Sequence, residues 1–185
     1  MNDLKQRLDE LRSVIQERDF LEGKGILNEV NIRIFCYDPQ EELTVRHFVE
    51  RLLRDETLQC RPVEFNLYRV LLSICESRNL LDKLPALEED EGSRSLREML
   101  QRVASNKRFV EKMRETPLET GDVVFITGVG EAFPFIRVHA LLEEMQLYFS
   151  ELPVVVMYPG VYDGRSLKLF DKLAPNPYYR AFNLL

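Results

Sequence analysis

The sequence has no apolar run that approaches the roughly 18 residues of a membrane-spanning helix. The segment from Met1 to Arg12 is charged and lacks the apolar stretch of a secretory signal. Both features predict a cytoplasmic protein that does not associate with a membrane.

Cysteine and histidine are scarce. The cysteines, Cys36, Cys60 and Cys75, are too few for a disulfide framework and too widely spaced for a zinc site, so we expect buried, reduced thiols. The histidines, His47 and His139, each lie in a predicted helix without a second metal ligand in a recognisable pattern. The sequence therefore predicts neither a metal site nor a bound cofactor.

The motifs of nucleotide binding and of serine hydrolases are also missing. Gly128 and Gly130 are spaced as in a dinucleotide-binding loop, but Phe133 stands where the third glycine is required. The chain contains no Gly-Lys-Ser/Thr tripeptide and no Gly-X-Ser-X-Gly. Glu131 would also place negative charge where a phosphate should lie. A tight turn at Gly128 and Gly130 is the favoured interpretation over nucleotide binding.

The net charge of −6 argues against direct binding of nucleic acid, because affinity for phosphate comes mainly from clustered Lys and Arg. The basic residues from Lys107 to Arg114 are interrupted by acidic ones and are typical of a solvated helix face. We expect no direct nucleic-acid partner.

Two unbroken apolar runs, Val123 to Ile126 and Val154 to Met157, predict strands that are buried on both faces. Between them, apolar residues recur at helical spacing, which makes a parallel β-α-β unit. Further strands are predicted at Asn31 to Tyr37, at Val63 to Asn66 and from Tyr178 to the C-terminus. A short helix is predicted across Leu167, Leu169, Phe170 and Leu173.

These elements predict an α/β fold in a single domain of residues 1–185. The expected architecture is a three-layer sandwich with a mostly parallel sheet of about five strands. It would be Rossmann-like, or like a degenerate nucleoside triphosphatase without a P-loop.

Residues 1–18 form a predicted amphipathic helix. Leu4, Leu8, Leu11 and Ile15 make an apolar stripe on it at 4-3-4 spacing. The favoured interpretation is a helix packed on its own domain, and the alternative is a docking helix for another subunit.

Several polar and aromatic residues are expected to meet at the carboxyl ends of the parallel strands, where ligands or partners of α/β sheets usually bind. The candidates are Tyr37, Asp38, Glu131, Tyr158, Tyr162, Asp163 and Arg180, with turns at Gly128, Gly130 and Gly160. Asp38 precedes Pro39 and is interpreted as a helix cap rather than a catalytic acid. Because Tyr and Arg are enriched in protein interfaces, a binding edge is favoured over a catalytic one.

Three segments of the chain resemble the BrxB family of bacterial BREX phage-defence clusters. They are ITGVGEAFPFIRVHALLEEMQ, VVVMYPGVYDGRSLKLFDKL and NPYYRAFNLL. The resemblance implies a system that also contains a PglZ-type protein of the alkaline-phosphatase superfamily, a large AAA-type ATPase and a DNA methyltransferase.

We therefore expect a non-enzymatic interaction or scaffold component that bridges or regulates larger BREX proteins, above all the PglZ-type protein and the AAA-type ATPase. The alternative is a degenerate nucleotide-binding or hydrolytic domain that uses Glu131 and Asp163.

Overall fold

A computed structural model describes residues 3–22, 31–177 and 182–184. The helices are α1 Asp3–Val14, α2 Arg18–Leu21, α3 Glu42–Leu52, α4 Leu67–Glu76, α5 Leu84–Val103, α6 Asn106–Met113, α7 Val129–Ala132 and α8 Val138–Met145. The strands are β1 Ile32–Tyr37, β2 Arg61–Asn66, β3 Asp122–Thr127, β4 Val154–Tyr162, β5 Ser166–Leu169, β6 Asn176–Pro177 and β7 Phe182–Asn183. Short 3₁₀ turns at Pro39–Glu41 and Leu81–Lys83 precede α3 and α5.

The strands form one mixed sheet rather than the mostly parallel sheet predicted. Five strands pair in parallel in the order β2-β3-β4-β1-β7, while β5 pairs with β4, and β6 with β5, in the antiparallel sense. The difference arises because β4 continues past its parallel neighbours to Tyr162. The chain then reverses at Asp163, whose carboxylate accepts hydrogen bonds from the backbone N–H groups of Arg165 and Ser166 at 2.8 and 2.7 Å.

Segment 166–169 is a strand and not the short helix predicted. Leu167 and Leu169 are buried, whereas Ser166 and Lys168 are half-buried. This period of two residues matches the pleat of a strand that packs one face on the core.

Helices cover both faces of the sheet. Alternate residues of the central strands point to opposite sides, so Val154 and Val156 join a core formed with α4, α6 and α8, while Val155 and Met157 join a core formed with α1 and α3. The α1–α3 core and the α4–α8 core thus lie on either side of one sheet. Every residue of β3 is buried, which confirms the prediction made from its unbroken apolar run.

The N-terminal helix packs on its own domain. Leu4, Leu8, Leu11 and Ile15 are all buried in the α1–α3 core. The guanidinium of Arg7 donates to the backbone carbonyl of Cys36 at 2.7 Å and so fixes α1 to β1. The apolar stripe therefore packs against its own domain, as the favoured interpretation predicted. Docking of another subunit through this stripe would require α1 to leave the domain.

Part of the predicted C-terminal strand lies among the described residues. β7 pairs in parallel with β1 through Phe182 and Asn183, and the backbone N–H of Leu184 donates to the carbonyl of Ile34 at 3.0 Å. Residues 178–181 and 185, among them the candidate Arg180, lie outside the described residues. All three cysteine thiols are free. Cys60 and Cys75 are buried, as predicted, whereas Cys36 is half-buried.

The connections of the sheet leave a crevice at the carboxyl ends of its strands. α3 follows β1 and packs into the α1–α3 core, whereas α7 follows β3 and packs into the α4–α8 core. β4 lies between β1 and β3. The chain therefore leaves these two strands toward opposite faces, and the carboxyl-end edge, where ligands of α/β sheets usually bind, lies between the helices that follow them.

Candidate functional site

A polar network that begins at the buried Tyr37 and ends at the exposed Glu131 closes one wall of this crevice. The hydroxyl of Tyr37, the last residue of β1, donates to Oε2 of Glu42 at 2.7 Å. Arg46, one turn further along α3, lies 3.3 Å from Oε1 of Glu42 and 3.1 Å from Oε1 of Glu131 in α7. Burial, followed by the charge of Glu42, raises the pKa of the Tyr37 hydroxyl, so it remains a neutral donor. The network ties together the two helices that follow β1 and β3.

The crevice beside this network encloses about 280 Å³. Its walls are polar, with arginines Arg46, Arg54 and Arg69, carboxylates Glu50, Glu64 and Glu131, and the side chains of Leu53, Asn66 and Tyr68.

The carboxylates of the crevice have partners. Glu131 pairs with Arg46, Glu64 accepts a hydrogen bond from the Thr127 hydroxyl at 2.5 Å, and Glu50 lies 3.8 Å from Nδ1 of His47. These contacts restrain the acidic side chains against their neighbours.

Two arginines of the crevice have no such partner. Among the residues that the structure describes, none forms an ion pair or a side-chain hydrogen bond with the guanidinium of Arg54 or of Arg69. Both side chains are exposed. The formal charges of the three arginines and three carboxylates balance, and the guanidiniums that have no partner among the described residues are those of Arg54 and Arg69, in a chain whose net charge is −6.

Exposed apolar side chains border the same opening. Leu53 and Tyr68 line the crevice and are 36% and 38% exposed. A second, shallower depression shares Arg46 and Glu50 with the crevice and contains Leu43, which is 75% exposed. We call these residues the strand-end surface; its members are Leu43, Glu50, Leu53, Arg54, Tyr68 and Arg69.

Three of the residues predicted at this edge are where the sequence placed them. Tyr37 and Glu131 belong to the network just described. Asp38 accepts a hydrogen bond from the backbone N–H of Gln40 at 2.9 Å, which confirms the capping interpretation.

The predicted turn glycines differ from one another. Gly128 has a left-handed backbone (φ 66°) at the start of α7, and a Cβ there would lie 2.7 Å from Oδ1 of Asn66. This confirms a tight turn at Gly128, whereas Gly130 lies inside α7. Gly160 is not a turn residue: it lies within β4, and a Cβ on it would overlap the backbone carbonyl oxygen of Lys168 in β5.

The other candidates do not reach the crevice. Tyr158 and Tyr162 are buried because both point into the α4–α8 core, so they do not form the exposed edge predicted. Asp163 is exposed in the turn between β4 and β5, and its hydrogen bonds from Arg165 and Ser166 lower the pKa of its carboxyl group. The predicted cluster is thus divided between the crevice and the β4–β5 hairpin.

Sequence analysis missed Glu42, Arg46, Arg54, Tyr68 and Arg69. Two features of the sequence indicate them in retrospect. Glu42 and Arg46 have the i,i+4 spacing of an ion pair on the helix that Asp38 was predicted to cap. Tyr68 and Arg69 directly follow β2, whose carboxyl end lies at the same edge of the sheet.

The described residues meet the requirements neither of a metal centre nor of a membrane-spanning helix. Within residues 3–22, 31–177 and 182–184, no group of three or more His, Cys, Asp or Glu side chains is arranged to hold a metal ion. Over the same ranges, none of the helices combines the length and apolar character needed to cross a membrane.

Comparison with known proteins identifies the family. The family profile described as BREX protein BrxB matches residues 63–184. A BREX protein BrxB from Bacillus cereus (strain H3081.97) is 38% identical over 193 aligned positions, which cover 100% of this chain and 99% of the relative. A BREX protein BrxB from Escherichia coli O9:H4 (strain HS) is 30% identical over 183 positions, covering 98% and 92%.

No solved structure matches the chain. The profile match and the similarity over almost the whole length of two BrxB proteins show that the chain belongs to the BrxB family, a component of BREX systems.

Proposed function

We propose that this protein is a non-enzymatic, cytoplasmic interaction component of a BREX phage-defence complex, and that its strand-end surface docks a carboxylate-rich surface of another BREX protein. The observation that supports this most is that the guanidiniums of Arg54 and Arg69, which have no partner among the described residues, lie beside the exposed side chains of Leu53 and Tyr68.

The charge arrangement favours an acidic partner surface. Because Glu131, Glu64 and Glu50 are already engaged within the chain, Arg54 and Arg69 remain available for an external anion. Guanidinium binds carboxylate through two parallel hydrogen bonds, which adds geometric specificity to charge attraction.

The composition of the surface also fits protein recognition. Arg and Tyr are enriched in interfaces and among the residues that contribute most to binding. Leu43 adds an exposed apolar side chain next to the charged ones. A central apolar contact with charged neighbours is the usual anatomy of such a site.

The partners that the family resemblance implies are a PglZ-type phosphatase-superfamily protein and a large AAA-type ATPase. We propose that one of them provides the acidic surface and that the chain bridges it to the rest of the complex.

Co-purification of the tagged protein with its neighbouring gene products tests this proposal. Reversing the charge of both arginines in the double variant Arg54→Glu with Arg69→Glu should reduce recovery of the partner by about tenfold or more. Each such interface arginine contributes on the order of 1 kcal/mol or more to the binding free energy. Arg97→Glu with Arg165→Glu is the matched control, because both residues are exposed and neither lines the crevice. Equal recovery with the two double variants would contradict the proposal.

The second candidate function is that of a degenerate nucleotide-binding or hydrolytic domain. Its fold would then be related to that of Rossmann-like domains or of nucleoside triphosphatases. The position of the crevice at the carboxyl ends of the strands favours it. The two carboxylates it would use are engaged, Glu131 with Arg46 and Asp163 with backbone N–H groups of its own turn. ATP or GTP binding by the purified protein, lost in Arg46→Ala, would support this candidate over the first.

A further inference from the structure

A cavity of about 240 Å³ lies between α7, α8 and the β4–β5 hairpin, separate from the strand-end surface. Its wall is mixed, with an apolar part formed by Val129, Phe133, Ile136, Leu167, Leu169 and Leu173. An apolar cavity of about 150 Å³ is enough to bind benzene. The present cavity therefore has room for one aromatic ring and a small substituent.

One buried polar group faces this apolar space. Tyr158 lines the cavity, and only 2% of the residue is exposed to solvent. Within the described part of the chain, no group exchanges a hydrogen bond with its hydroxyl, and its neighbour Cys36 is a thiol that donates and accepts only weakly. The Tyr158 hydroxyl oxygen is not one of the fully enclosed polar atoms that lack a partner, so it opens on the cavity, where its O–H is free to donate to an occupant.

The Tyr158 hydroxyl is also held in its neutral form. Burial, followed by the proximity of Cys36, raises the pKa of the hydroxyl. An occupant of the cavity would therefore meet an O–H donor, and the matching ligand atom is an acceptor.

The rim of the cavity adds an uncompensated cation. Arg137 lines the opening, is exposed and forms no ion pair among the residues of the described ranges. His139, also at the rim, is half-buried, and burial lowers the pKa of its imidazole, so it is neutral at pH 7. The rim thus favours an anion over a cation.

We propose that this cavity is a binding site for a small organic carboxylate with an apolar body. The body would lie against Ile136, Leu167 and Leu169, and the carboxylate would reach the Tyr158 hydroxyl or the guanidinium of Arg137. This site is independent of the docking proposed for the strand-end surface.

Fluorine NMR with 4-fluorophenylacetate as the probe tests this site on the full chain. The expected dissociation constant is about 1 mM or lower, as for a ligand of this number of atoms in a fitting cavity. The uncharged 4-fluorotoluene should bind about fivefold or more weakly, and the cationic 4-fluorobenzylamine more weakly still, if a charge-assisted hydrogen bond orients the ligand.

Two variants assign the polar contacts. Tyr158→Phe keeps the ring, and the variant should melt at or above the melting temperature of the parent because the lost hydroxyl has no internal partner. The same variant should bind the probe about fivefold more weakly. Arg137→Ala changes an exposed side chain and should weaken the probe without altering the melt, with Arg165→Ala as the exposed control. Absence of carboxylate binding, binding no tighter than that of 4-fluorotoluene, or binding unchanged in both variants would overturn the proposal.

Discussion

Helices α1 and α3 lie on the same face of the sheet, yet their leucines have opposite environments. Leu4, Leu8 and Leu11 of α1 follow the helical repeat and are buried, whereas Leu43 at the start of α3 lies off the buried stripe and is exposed. The comparison shows that helical spacing identifies the face that packs on the domain. An apolar residue outside that spacing is the better indicator of a surface for partners.

The largest effect should come from charging the buried stripe. We expect Leu8→Asp with Leu11→Asp to lower the free energy of unfolding by more than about 4 kcal/mol, since each change removes apolar burial and places a carboxylate in the core. Leu43→Asp is the counterpart on α3 and should change stability by less than about 0.5 kcal/mol. Thermal melts of the three proteins check this.

A cooperative and nearly unchanged thermal melt of the Leu8→Asp, Leu11→Asp double variant would contradict the burial of the α1 stripe. It would mean that the stripe is not packed on the domain in solution and is free to dock another subunit.

Much of the fold follows from such local patterns. The runs Val123 to Ile126 and Val154 to Met157 predicted the central strands because they are short, continuously apolar and rich in β-branched residues, as is typical of strands buried on both faces. The cap at Asp38 predicted the start of the helical segment after β1 for an equally local reason.

The β4–β5 hairpin could not be predicted in the same way. Pro159 and Gly160 are typical of turns, but here Pro159 pairs with Tyr37 and Gly160 allows the backbone of β5 to approach closely. That approach is a tertiary contact, and no spacing in the sequence encodes it. The error also misplaced Tyr158 and Tyr162, since extending the strand fixes both side chains in the core.

The candidate site was predicted only in part. Tyr37 and Glu131 were found because the ends of parallel strands meet at one edge. Arg54 and Arg69 were missed because their importance lies in the absence of a partner among the described residues, and exposed arginines are common in any sequence.

The next largest effect on stability concerns the β4–β5 hairpin, which is not part of the strand-end surface. Gly160→Ala should lower the free energy of unfolding by about 2 kcal/mol or more, because the added methyl overlaps backbone of β5 rather than a movable side chain. Denaturant unfolding measures it, and Gly130→Ala is the control, because Gly130 lies in α7 without a positive φ and the added carbon meets the side chains of Phe170 and Pro159 rather than backbone. A cost for Gly160→Ala no larger than for Gly130→Ala would place β5 further from β4 than the structure does.

The smallest effect concerns the attachment of α1. Asp55, which follows α3, receives hydrogen bonds from Thr57 and from Arg12 of α1, and these lower the pKa of its carboxyl group from 3.8 to about 2. A carboxyl group whose pKa is lower in the folded state stabilises the fold above its unfolded pKa. This stabilisation should fall away as the pH drops from about 4 to about 2.

Urea unfolding at several pH values tests this in the parent and in Asp55→Asn. The variant should be less stable at neutral pH and should lose less stability than the parent between pH 4 and pH 2. Parallel pH profiles of the two proteins would show that the Asp55 contacts do not hold α1 in solution.

The central claim is that partners dock at the strand-end surface. Site-specific photo-cross-linking in cells tests it most directly, with a benzoylphenylalanine at Tyr68 or at Tyr148. The two tyrosines are 38% and 45% exposed, and Tyr148 belongs to a different opening, where it stacks on Arg114. We expect a cross-link to another BREX protein from position 68 and none from position 148. Cross-links from position 148 alone, or from neither position while the complex still co-purifies, would contradict it.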